Sequence, residues 1–144
     1  MRRMMLTLVL AASVGCQNDL TGSSDVNGAY LLREVNGAPM PYTQMFGAAK
    51  SEIFDWTITL YEDGTFAESS HGRYTAANGQ ESNDTWSETG TYLRLGNSIG
   101  LRYPQTGFSR PATLSGNTMT FVEGEMTFTF RKDPGFVSRD RRSQ

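Results

Sequence analysis

Apolar and polar residues alternate with a period of two through most of the chain. Phe54, Trp56, Ile58 and Leu60 fall on one side of an extended backbone, and Asp55, Thr57, Thr59 and Tyr61 on the other. The pattern stops at Glu62-Asp63-Gly64, where Asp-Gly supplies the positive φ angles of a tight hairpin, and Thr65-Phe66-Ala67-Glu68 begins the return. The same punctuation recurs at Asn36-Gly37, Gly96-Asn97, Thr106-Gly107, Ser115-Gly116-Asn117 and Glu123-Gly124-Glu125. Strands are therefore expected near residues 29–36, 52–61, 65–74, 85–95, 98–103, 108–114, 118–122 and 126–132. In the last hairpin Met119, Phe121, Met126, Phe128 and Phe130 alternate with Thr118, Thr120, Thr127 and Thr129, giving one apolar and one hydroxylated face.

No helix is expected. Residues 43–50 have room for one turn, but Gly47 and the flanking Pro39 and Pro41 favour a long ordered loop. This loop is apolar for its class, and Tyr42, Met45 and Phe46 are expected to cap the core or to act as a lid over one end. Eight short antiparallel strands joined mostly by hairpins make a meander, and a meander this long removes its edges by closing into a barrel. The fold class is therefore all-β, an eight-stranded antiparallel meander closed into a barrel. A two-sheet sandwich has the same local pattern and differs in whether the first and last strands pair.

The two ends of the chain read differently. Arg2 and Arg3 precede an apolar run from Met4 to Ala12, about nine residues against the ~20 a membrane-crossing helix needs, followed by Ala12-Ser13-Val14-Gly15-Cys16. That arrangement resembles a bacterial lipobox, and the resemblance implies cleavage after residue 15 and acylation of Cys16, with palmitate among its chains. An ordinary secretory signal with Cys16 incidental is the alternative. By the same analogy Gln17, standing where an aspartate retains lipoproteins in the inner membrane, implies the outer membrane of a bacterial cell envelope. Three acyl chains at ~0.8 kcal/mol per buried CH₂ make such an anchor effectively permanent. Residues 1–15 are thus read as signal peptide, 16–27 as lipidated cysteine and flexible tether, 28–132 as the barrel, and 133–144 as a disordered tail.

The 144 residues suffice for one domain. The full chain has 13 basic and 15 acidic residues, and loss of Arg2 and Arg3 leaves 11 basic residues and a net charge of −4. The basic cluster Arg139, Arg141 and Arg142 lies at the very end, so nucleic acid is not an expected partner.

Candidate chemistry is sparse. The single histidine, His71, has Ser70 on the opposite strand face and no carboxylate placed by the local sequence to orient its ring, so it reads as a solvated strand residue. An envelope hydrolase built on His71, or on a carboxylate pair such as Glu88 with Asp84, is the enzymatic alternative, although surface carboxylates are the simpler reading of that pair. Asn78 to Asp84 offers oxygen ligands without calcium-loop spacing and is expected to be a flexible turn. No metal or cofactor is expected. Arg73, Arg94, Arg102 and Arg110 interrupt mixed strands; two of them facing inward would make a polar centre for a carboxylate or phosphate, whereas outward placement would lay their stems over apolar surface.

Gly28-Ala29-Tyr30-Leu31-Leu32 with Val35-Asn36-Gly37-Ala38-Pro39-Met40-Pro41, then Leu60-Tyr61-Glu62-Asp63-Gly64-Thr65-Phe66, Gly90-Thr91-Tyr92 and Phe128-Thr129-Phe130-Arg131, resemble in order the blocks of small bacterial lipocalin-like domains, many carried on lipoproteins. The resemblance implies a lipocalin-like barrel that is noncatalytic and binds a small apolar or amphipathic ligand. It also implies that Arg131 packs over Tyr30, which stands where true lipocalins have tryptophan. The expected ligand lining is Phe54, Trp56, Ile58, Leu60, Tyr92, Leu101, Met119, Phe121, Phe128 and Phe130. An internal void above ~300 Å³ would mark that reading. The alternative is a filled barrel in a structural or interaction lipoprotein, meeting an envelope protein through an exposed apolar patch near Tyr42, Met45 and Phe46.

Overall fold

A computed structural model describes residues 26–135. The segments read as signal peptide, lipidated Cys16, tether up to residue 25 and tail from residue 136 lie outside the described residues. Ten strands form one antiparallel sheet: β1 (Gly28–Val35), β2 (Ala38–Pro39), β3 (Tyr42–Phe46), β4 (Ala49–Leu60), β5 (Thr65–Thr75), β6 (Glu81–Leu95), β7 (Ser98–Arg102), β8 (Ser109–Ser115), β9 (Thr118–Glu123) and β10 (Met126–Lys132).

Closure comes from β1, which pairs on one edge with β10 (Tyr30 with Lys132 through Val35 with Phe128) and on the other with β4 (Gly28 with Leu60 through Leu31 with Thr57). Eight strands, β1 and β4 to β10, thus form a closed antiparallel barrel, and the sandwich alternative falls away. The expected strands all occur, with ends shifted by up to four residues. The inward positions follow the alternation: Ile58, Leu60, Phe66, Leu101, Met119, Phe121, Phe128 and Phe130 are buried in one core with Tyr30 and Trp56.

Three local expectations give way. The segment expected to be a loop contains β2 and β3, with β3 pairing β4 from Tyr42 with Ile53 to Phe46 with Ala49 and Gly47 turning at φ 63°. Pro39 and Pro41 bar continuous pairing, yet Pro39 is tolerated on the edge strand β2, and the five residues after Pro41 alternate freely. The expected turn over residues 78–84 is shorter, because Glu81 to Asp84 extend β6 and pair with Thr75 to Gly72 of β5. Finally, the register of β4 against β5 shifts between Ile53 and Asp55. This bulge sends Ile53 toward the core and turns Phe54, expected to face inward, to the outer side beside His71.

One end of the barrel is sealed. There Tyr30, fully buried, donates from its hydroxyl to the carbonyl of Val26 at 2.9 Å. Tyr92 OH lies 2.7 Å from Asn27 Oδ1 and 2.8 Å from the Tyr61 carbonyl, donating its single proton between them. The expected stacking of Arg131 on Tyr30 does not match this geometry: Arg131 is exposed, pairs with Leu31 and points away from the face that carries Phe130.

At the opposite end β3 to β6 outrun their neighbours. β1 meets β4 only up to Thr57, and β7 meets β6 only from Thr91. The upper parts of these four strands therefore project as a wing beyond the barrel mouth.

Candidate functional site

Among the described residues the interior holds a charged constellation, contributed by β4, β5, β8 and the residue that follows β7. Glu68 shares its face with Phe66, and its side chain is 0% exposed. Glu68 Oε1 accepts from Trp56 Nε1 at 2.7 Å and from an Arg110 guanidinium nitrogen, also at 2.7 Å. Glu68 Oε2 accepts from the Tyr103 hydroxyl, whose oxygen in turn accepts from Arg110 at 2.7 Å. The guanidinium, with its side chain 12% exposed, lies 4.7 Å from the Phe121 ring centroid, 5.2 Å from Tyr103 and 5.6 Å from Trp56. A buried carboxylate is tolerable only when its lone pairs are met, and here three donors meet them, from β4, from β8 and from the residue that follows β7. Burial, followed by the Glu68 contact, pushes the Tyr103 hydroxyl far above the ordinary tyrosine value, so this donor stays protonated.

Of the four arginines considered from sequence, Arg110 alone enters this centre. The carboxylate it holds is the chain's own. Arg73 lies on the outer face, 2.9 Å from Glu52 and 3.3 Å from Glu81, over the Phe54 ring. Arg94 Nε donates to the Gly96 carbonyl at the 96–97 turn, and Arg102 is exposed on the outer face. Glu68 and Tyr103 were missed in the sequence, although the parity of β5 places Glu68 with Phe66 and the parity of β7 places Tyr103 with Leu101.

The expected lining residues do converge, with Phe54 removed by the bulge and Tyr92 taken up at the sealed end, but they converge on each other. Trp56 meets the rings of Phe128, Phe121 and Phe130 edge-on, at centroid distances of 5.2, 5.6 and 5.6 Å, and Phe121 stacks on Phe128 at 5.0 Å. These are the separations of a packed aromatic cluster. A hollow of about 450 Å³ lies elsewhere, on the outer face of β6 to β8, floored by Gly100 and walled by Leu93, Leu95, Arg102 and Pro111.

The apolar surface continues out of the mouth onto the wing. Cross-strand partners share a face, so Trp56, Ser70 and Trp86 form one row, Tyr42, Ile53 and Gly72 the next, and Ser51 with Tyr74 the one beyond, with Phe46 and Ala49 last. Met40, Tyr42, Ile53, Trp86 and Met126 pack against the core. Farther out, Phe46 at 54% and Tyr74 at 42% stand exposed. Met45, 61% exposed, alternates to the outer side, so the trio expected as a lid is divided between two faces and does not close over the barrel.

Catalytic groupings fare differently from the sequence expectation. Asp55, the cross-strand partner of His71, puts its Oδ2 3.4 Å from His71 Nδ1, so a carboxylate does reach the ring. The pair is open to solvent, at 48% and 61% side-chain exposure, and Ser70 points to the interior. Among the described residues no group of three or more His, Cys, Asp or Glu side chains is placed to hold a metal. Comparison with protein-family models, with curated proteins and with solved structures found no match to this chain.

Proposed function

We propose that this chain is a noncatalytic lipoprotein of the bacterial envelope, anchored through Cys16, whose filled lipocalin-like barrel serves as a rigid stand for the wing, and that the wing meets another envelope protein. The observation that carries the reading is the contact of Trp56 with Phe121, Phe128 and Phe130 in the space a bound molecule would take. The adjacent Glu68–Arg110 pair occupies the polar part of the same interior, with the Glu68 carboxylate met by three donors and Arg110 Nε left without a hydrogen-bond partner among the described residues. This favours the filled barrel over a small internal ligand.

The wing supports the second half. Its inner face offers Phe46 and Tyr74 to solvent in continuity with Tyr42, Ile53 and Trp86, and aromatic side chains that stay exposed on a rigid strand pair are typical anchors of protein interfaces. β3 is also an end strand of the sheet, so its outer edge is available to an added strand. The solvent-open His71–Asp55 pair, with Ser70 turned away, lacks the aligned nucleophile a hydrolase needs.

A photo-crosslinking residue placed at Phe46 or Tyr74 in the native envelope tests the proposal. Transfer to one discrete protein from these positions, and not from Thr113 on the far side of the barrel, is the expected result. Equal labelling from all three, or none from the wing, would remove the wing as an interface.

A further inference from the structure

The hollow over Gly100 lies on the outer surface, away from both the interior cluster and the wing. Leu93 and Leu95 are 68% and 73% exposed, so the groove is an apolar surface without cover among the described residues. Arg102 stands at its rim, exposed and making no ion pair among the described residues. We infer that the groove is the docking site of the chain's own segment 17–25, with Leu20 inserted between Leu93, Leu95 and Pro111 and Asp19 set against Arg102.

Three observations favour this occupant. The segment enters the barrel beside the groove, because Asn27 is held by the hydroxyl of Tyr92, the residue next to Leu93 and itself part of the groove lining. The reach is ample: seven residues from Asn27 back to Leu20 extend to roughly 23 Å, whereas crossing two strand spacings from Leu93 to Pro111 takes roughly 10 Å. The chemistry also matches, since Leu20 is the one large apolar side chain in residues 17–25 and its neighbour Asp19 is acidic, which suits a groove whose rim arginine has no ion pair among the described residues. The other end of the chain fits poorly, because Arg139, Arg141 and Arg142 would crowd like charges beside Arg102.

Docking would shorten the leash between Cys16 and the barrel to about three residues, hold the sealed end toward the bilayer and point the wing away from it. That consequence rests on the lipid anchor proposed above; the docking itself and its test do not. The test is backbone hydrogen exchange over residues 18–25 in the full chain in detergent micelles. Exchange at least about tenfold slower than for a free peptide is expected, falling to free-peptide rates in Leu20→Asp and in Gly100→Leu. Gly100→Leu fills the groove at small cost to the strand, as a Cβ there meets only Ser109 Oγ at 3.9 Å, and Leu20→Asp lies outside the barrel altogether. Free-peptide rates in the unmodified chain, protection that survives both substitutions, or protection confined to residues 136–144 would overturn the inference.

Discussion

Arg110 and Glu68 are the pair whose removal tests the interior at the scale of single residues. Replacing Arg110 by leucine leaves the Glu68 carboxylate buried with Trp56 and Tyr103 as its remaining partners, and a loss of about 3–5 kcal/mol in unfolding free energy is expected from chemical denaturation. The double variant Glu68→Leu/Arg110→Leu removes both charges together and should recover most of that loss. A simple sum of two penalties would show that the pair is not coupled. Tyr103 makes the interior sensitive to alkali. Its folded pKa is raised well above the unfolded value of 10.0, so the folded state holds the proton more tightly. The associated stability is complete below pH 10 and is lost as the pH climbs from there toward the folded value. Thermal unfolding midpoints should therefore fall more steeply between pH 9 and 11 than in Tyr103→Phe, which starts lower but has a flatter slope; equal slopes would mean that Tyr103 is not the group responsible.

Strands were legible because each carries its own alternation and its own turn, signals that need only neighbouring residues. What escaped was what depends on partners. The bulge that turns Phe54 outward is set by pairing with β5, and β3 exists because β4 offers it an edge. The Glu68 centre hydrogen-bonds residues as many as 42 positions apart, which no local spacing announces. The parity of β5 and β7 placed Glu68 and Tyr103 inward, but not against each other. Two glycines show the same dependence on context. A Cβ on Gly90 of β6 would lie 2.1 Å from the Arg102 carbonyl oxygen and 2.6 Å from the Phe66 ring, whereas one on Gly100 of β7 meets nothing closer than 3.9 Å. Gly90→Ala should cost about 1–3 kcal/mol by overpacking, and Gly100→Ala should stay within about 0.5 kcal/mol, both read from urea midpoints. Similar effects at the two sites would contradict the close passage of β6 against its neighbours.

Taken whole, the molecule is a closed barrel with Tyr30 and Tyr92 hydrogen-bonded at one end, aromatic rings and the Glu68–Arg110 pair in its interior, and a four-stranded wing at the other end. The meander was legible from the number of hairpins and the lack of any long connection, but its closure was decided only by the pairing of β1 with β10 and β4, which a sandwich of the same hairpins would lack. Whether the barrel was hollow was not legible, since the residues that line a cavity and those that fill one have the same alternation. The difference lies in distances between strands that are not neighbours, here 5.2 to 5.6 Å between the ring centroid of Trp56 on β4 and those of Phe121 on β9 and Phe128 and Phe130 on β10. Native mass spectrometry of residues 17–144, exported to a bacterial periplasm and compared with the denatured mass, tests the filled barrel most directly. The account predicts the same mass in both states. A reproducible extra mass of a small molecule, lost on denaturation and diminished by Trp56→Ala, would contradict it and restore an internal ligand.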